Sequence, residues 1–138
     1  MKTYSGLKTV QAECCTLGDF IATAKRNPYE GSEQHPDNNT AGYKVVYEDG
    51  YVSWSPKDVF EKSYHNENLP FGIALEAVKC GKGMRLPKWS EDVVIRCQFP
   101  DEHSKMTAPY LYVESRFGRV PWKETMIELL SNEWQIVE

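Results

Sequence analysis

The residues best able to do chemistry lie between His103 and Trp122 and just beyond. They offer aromatic faces at Tyr110, Tyr112 and Trp122, hydroxyls at Ser104, Thr107 and Thr125, and cations at Lys105, Arg116 and Arg119. Aromatic faces hold flat rings, hydroxyls read polar edges and cationic groups take anionic oxygens, so together they suit a flat, polar, anionic ligand. An aromatic-rich strand-turn-strand is also what an ordinary core hairpin looks like, and pattern alone favours that plainer reading. Catalysis is poorly provided for. The serines are dispersed, His35, His65 and His103 stand alone, and neither a His-x-His pair nor a glycine-rich phosphate loop is present. No histidine has a cysteine or a second histidine at zinc spacing, so neither a metal nor another cofactor is expected.

The elements that must position these groups follow from periodicity. Tyr110–Glu114 and Arg119–Trp122 read as strands about a glycine-containing reversal at Ser115–Gly118, and a short helix is expected from about Glu124 to Leu130. Upstream, Leu69–Gly81 is the clearest helix: Phe71, Ala74, Leu75 and Val78 form one apolar face, and Gly81 stands where a C-terminal cap belongs. Strands are expected at Met84–Leu86 and Val93–Gln98 around a turn containing Trp89, and at Trp134–Val137. The first half reads as a strand over Thr3–Cys14, a helix opened by Thr16 and ending near Lys25, and a polar loop from Asn27 to Ala41. A hairpin then runs Tyr43–Tyr47 to Tyr51–Trp54 about Asp49-Gly50, and Ser55-Pro56 is expected to cap a helix ending near Tyr64. Polar, unpatterned His65–Asn68 separates the halves, giving segments 1–66 and 67–138. The fold class expected is α+β, with antiparallel sheets, about four short helices and two small halves. A shift of 68 residues lays Val45, Gly50, Val52 and Trp54 on Val113, Gly118, Val120 and Trp122, which suggests a duplicated hairpin.

Composition narrows the partners. The 138 residues are 41% hydrophobic with a net charge of -4, which argues against a nucleic-acid polymer as ligand. From Lys79 to Lys123 nine Lys/Arg stand against five Asp/Glu, whereas residues 124–138 hold four acids and no Lys or Arg. A locally basic zone in an acidic protein suits a phosphate-bearing small molecule, and also an ordinary solvated face. No run approaches a membrane span, no secretory leader pattern follows Met1, and Cys14, Cys15, Cys80 and Cys97 read as reduced thiols in a cytosol.

One series of motifs carries a resemblance. Phe71-Gly72, Ala74-Leu75-Glu76-Ala77, Gly81-Lys82, Trp89, Pro100-Asp101, Ser104-Lys105-Met106-Thr107-Ala108-Pro109-Tyr110, Val120-Pro121-Trp122, Leu130 and Trp134 occur in order. From Phe71 to Glu138 the chain resembles the phage-encoded second family of Thoeris anti-defence proteins. The segment before it, with Gly42-Tyr43, Asp49-Gly50-Tyr51 and Ser53-Trp54-Ser55-Pro56-Lys57, looks like one that often precedes that domain in phage proteins. The resemblance implies a non-enzymatic sponge in the cytoplasm of the host bacterial cell. Such a protein would be a homo-oligomer, a dimer or tetramer. It would hold a cyclic nucleotide immune signal between protomers, either a glycocyclic ADP-ribose isomer or a cyclic dinucleotide. Where many members carry Gly-Trp-Asn this chain has Lys88-Trp89-Ser90, and where many carry Ser and Asp in the last helix it has Thr125 and Glu128.

Sequestration would need stacking platforms, worth roughly 1–3 kcal/mol per base, and charge-assisted bonds to phosphate. The stacking candidates are Trp89, Tyr110 and Trp122. The phosphate candidates are Arg85, Lys105 and Arg119, with Thr107, Thr125 and Glu128 as further ligand contacts. Each tryptophan has a second reading as a core anchor, and each cation one as a solvated charge. Trp89, in a turn between Lys88 and Ser90, is the one expected on the ligand; Trp122, followed by Met126 and Leu129, equally suits a core. The alternative function is a phage or prophage interaction module whose aromatics bind a host protein.

Overall fold

The computed structural model describes residues 1–6 and 8–138; Leu7, inside the strand expected over Thr3–Cys14, lies outside the described residues. The fold is α+β, and every strand pairing among the described residues is antiparallel. The chain forms two compact units, Met1–His65 and Asn66–Glu138.

The first unit is a three-stranded sheet in the order β1 (Gln11–Thr16), β2 (Ala41–Val46), β3 (Val52–Pro56), with helices α1 (Leu17–Ala24) and α2 (Lys57–Ser63). β1 starts later than the expected Thr3 because only Gln11–Thr16 finds partners on β2. Thr16 caps α1 as its sequence suggests, its hydroxyl accepting the Asp19 N–H at 3.2 Å. The cap expected from Ser55 does not form. Ser55 still pairs with Tyr43 in β3, Pro56 takes the N-cap place, and α2 starts without a side-chain cap.

Partners across a ladder share a face. Trp54 and Gly42 therefore lie on one side of the first sheet, where Trp54 packs with Leu17 and Phe20 and donates its indole N–H to the Cys15 carbonyl at 2.9 Å. Any Cβ at position 42 would overlap the Trp54 ring and the Ser55 carbonyl oxygen. Gly42→Ala is thus expected to cost about 1–3 kcal/mol by overpacking, read as a lowered urea midpoint; an unchanged midpoint would contradict this packing.

The second unit is a five-stranded sheet ordered β7-β6-β5-β4-β8. Its strands are β4 (Gly83–Arg85), β5 (Val94–Gln98), β6 (Tyr110–Ser115), β7 (Gly118–Pro121) and β8 (Gln135–Val137), and its helices are α3 (Phe71–Lys79) and α4 (Met126–Leu129). Leu69, expected in the helix, instead forms a bridge with Trp134, and Pro70 precedes the first turn of α3. The C-terminal end is as anticipated: Gly81 takes a positive φ of 98°, and the N–H of Lys82 reaches back to the Ala77 carbonyl at 3.1 Å. α3 buries Ala74, Ala77 and Val78 toward a core containing Leu69, Met84, Ile95 and Trp134.

The two hairpins do not share a register. Val113 pairs with Val120, but their counterparts under the 68-residue shift, Val45 and Val52, pair with Ser53 and Val46. The sequence echo therefore does not extend to the strand pairing.

Candidate functional site

The second unit is organised around Trp134, which is 0% exposed. Its backbone exchanges two hydrogen bonds of 3.0 Å with Leu69, and its indole N–H donates to the Glu128 carbonyl at 2.9 Å. Three rings surround it. Phe71, Trp89 and Trp122 lie with centroids 5.7, 5.4 and 6.1 Å away, all edge-to-face. Such T-shaped contacts place the positive ring edge on the negative face of the neighbour. Trp89 and Trp122 are only half-buried, so each is anchored on the core and keeps part of its surface in solvent.

Thr125 and Glu128 sit beside this cluster and have a structural task. The Thr125 hydroxyl accepts the Glu128 N–H at 3.2 Å, while the Glu128 carboxylate accepts the Thr125 N–H at 3.0 Å and its hydroxyl at 2.8 Å. This reciprocal capping box starts α4.

The other candidates are elsewhere. Ile95, paired with both Met84 and Val113, faces the core, so by alternation Arg96, Gln98, Tyr110, Tyr112, Glu114 and Arg119 share the opposite face, with Gly83 and Arg85 on β4. Trp122 follows Pro121, the partner of Tyr112, and turns to the core side. The sheet therefore stands between Trp122 and the group Tyr110, Arg85 and Arg119. Lys105 and Thr107 are exposed in the loop before β6. In that loop Asp101 and Ser104 bond each other, so the Ser104 hydroxyl is engaged locally.

On the open face Glu114 bridges two cations, accepting from Arg119 at 2.8 Å and Arg96 at 3.2 Å. These two guanidinium groups, Arg119 first, hold its carboxyl below the usual range, and Glu114 in turn holds Arg119 up. A carboxyl depressed on folding contributes stability above its unfolded pKa, and that contribution is lost as pH falls through the folded value. The melting-temperature gap between wild type and Glu114→Gln is therefore expected to be largest near neutral pH and to close on acidification. A gap that widens with acid would refute the bridge. Arg85 makes no ion pair among the described residues, and its Nε is buried without a hydrogen-bond partner.

Phe71, Trp134, Arg96 and Glu114 were not singled out as site residues from the sequence. Beyond its place in the motif series, the local signal for Trp134 is its position at the start of the expected final strand, because its partner Leu69 lies at the far end of the unit.

Residues 69–137, half of the chain, match the family described as Tad2-like, the Thoeris anti-defense 2-like domain. The chain belongs to this family. An anti-defence role against Thoeris comes with membership, and the Thoeris anti-defense 2-like domain is not a known enzyme class. It spans every element from the Leu69 bridge through β8, and so contains both the tryptophan cluster and the open arginine face. No curated protein and no solved structure matches the chain. No helix among the described residues is long and apolar enough to cross a membrane.

Proposed function

We propose that the Thoeris anti-defense 2-like unit works without catalysis, binding and sequestering a cyclic nucleotide immune signal in the cytoplasm of the host bacterium. The ligand class is a glycocyclic ADP-ribose isomer, with cyclic dinucleotides as the related alternative. The observation that carries this reading is the pair of half-buried rings, Trp89 and Trp122, held edge-on against Trp134 inside the family-matched segment. Rings fixed in this way have already lost rotamer freedom, so stacking a base on them costs little further ordering. On the other face Arg85 is the cation without a bonded carboxylate among the described residues, and so the candidate partner for a phosphate oxygen.

The separation of these groups by the sheet supports a homo-oligomeric site. One protomer presents its tryptophans on one side and Arg85, Tyr110 and Arg119 on the other, so a ligand touching both sets needs two chains. An apolar surface for such contact exists at α4, where Met126, Ile127 and Leu130 are 67%, 85% and 78% exposed. Ile127→Glu together with Leu130→Glu is expected to reduce the light-scattering mass to that of one chain and to remove signal binding. A wild-type chain already monomeric at micromolar concentration would contradict the shared site.

The same apolar surface favours a second reading, a module that docks on a host protein. Titration of the purified chain with cyclic ADP-ribose isomers and cyclic oligonucleotides separates the two. Saturable binding of one compound, returned unchanged on heating, supports the sponge; a stoichiometric host protein in place of any bound nucleotide supports the module.

A further inference from the structure

The first unit carries a cleft of about 490 Å³ at the tip of the β2–β3 hairpin, lined by Lys8, Tyr47, Glu48, Asp49 and Tyr51. Its volume is within the range of small-ligand sites. The tip is braced: Tyr47 N–H donates to the Tyr51 carbonyl and Gly50 N–H to the Tyr47 carbonyl, each at 2.9 Å, and the Asp49 carboxylate accepts the Tyr51 N–H at 3.0 Å. The two tyrosine rings lie 6.0 Å apart, and each carries a cation over it. The Lys8 ammonium is 4.6 Å from the Tyr47 centroid, and the Arg26 guanidinium is 5.4 Å from that of Tyr51.

The two cations are not equivalent. Arg26 is tied to the Val52 carbonyl and also covers Phe20, whereas Lys8 makes no ion pair or hydrogen bond among the described residues. An arriving cation that displaces Lys8 would meet the face of Tyr47 and the carboxylates of Glu48 and Asp49, while Arg26 stays on Tyr51. An arriving anion would meet two negative charges with Arg26 already engaged. We propose that this cleft binds an alkylammonium group of another molecule in the position taken by the Lys8 ammonium. The group is either a free amine or a lysine side chain of a protein partner. This site is distinct from the tryptophan and arginine groups of the second unit.

The test follows the ring-proton NMR signals of Tyr47 and Tyr51 while the full chain is titrated with n-butylammonium chloride, or with a short peptide carrying one lysine. Sodium butyrate and sodium chloride at equal ionic strength serve as controls. Saturable shifts are expected with the amines and not with butyrate. Lys8→Ala should tighten amine binding about two- to fivefold, the fold-change of one exposed cation–π contact. Tyr47→Phe should retain binding because it keeps the π-face, while a folded Tyr47→Leu should lose it. Equal affinities for both amines identify the ammonium as the whole ligand, and tighter peptide binding identifies a lysine within a partner; both uphold the site. No saturation by either amine, tighter binding of butyrate, or an unchanged or weakened affinity in Lys8→Ala would overturn it.

Discussion

Trp134→Ala is expected to cost the second unit about 3–5 kcal/mol, the range for removing a fully buried large aromatic side chain. The ring is 0% exposed, supports Phe71, Trp89 and Trp122, and satisfies the Glu128 carbonyl at the end of α4. Its loss would leave a cavity, remove the indole donor to the Glu128 carbonyl, which also accepts the Ser131 N–H at 3.3 Å, and release both half-buried tryptophans. Urea unfolding followed by far-ultraviolet circular dichroism measures the effect. Trp134→Phe should fall between wild type and alanine, since it retains the aromatic contacts but not the N–H donor. A loss below about 1 kcal/mol in the alanine variant would show that the cluster is not what holds this unit together.

Under the proposed function, Trp89→Ala and Trp122→Ala are each expected to weaken binding of the proposed cyclic nucleotide by roughly 1–3 kcal/mol, a factor of about five to 150. Because both rings are half-buried, each variant should also lose stability, but less than Trp134→Ala does. Phenylalanine at either position keeps a stacking face and part of the packing, so it should recover affinity more fully than alanine. Thermal melting without ligand, set beside calorimetric titration with it, distinguishes a platform from an anchor. Affinity falling tenfold or more, with a melting-temperature loss well short of that in Trp134→Ala and affinity recovered by phenylalanine, supports stacking. Affinity and melting temperature falling together in both variants, with no recovery by phenylalanine, would sink it.

Much of the fold could be read locally. Thr16 before an apolar turn, Gly81 after a 3.6-residue stripe, and the two-residue reversal at Arg116-Phe117 all do what their chemistry suggests. The misreadings share one cause, that pairing overrides local preference. Ser55 has good capping chemistry, but β3 runs on through Pro56 against Gly42. Leu69 opens the stretch that reads as helix, yet its backbone is taken by Trp134. The repeated Val, Gly and Trp spacing is real in the sequence, while the longer turn of the first hairpin shifts its ladder by one residue relative to the second.

The candidate site shows the same division. Residue types alone identify the rings, cations and hydroxyls able to hold a flat anion, because stacking and charge pairing depend on side-chain chemistry. Which of them act together is decided by strand register, since a period of two sends Trp122 to one face of the sheet and Tyr110 and Arg119 to the other. Strand pairing and packing also settle which cations are already engaged, Arg119 on Glu114 and Arg85 with a buried Nε left unpaired, whereas the Thr125–Glu128 cap is a local contact. Local sequence could specify helix caps, the tight hairpin turn and ligand-suited chemistry because those depend on neighbours within a few residues. Placing Trp134 beneath Trp89 and Trp122 requires β8 to cross to β4 and the C-terminal end to meet Leu69, contacts between distant parts of the chain that no short-range pattern encodes.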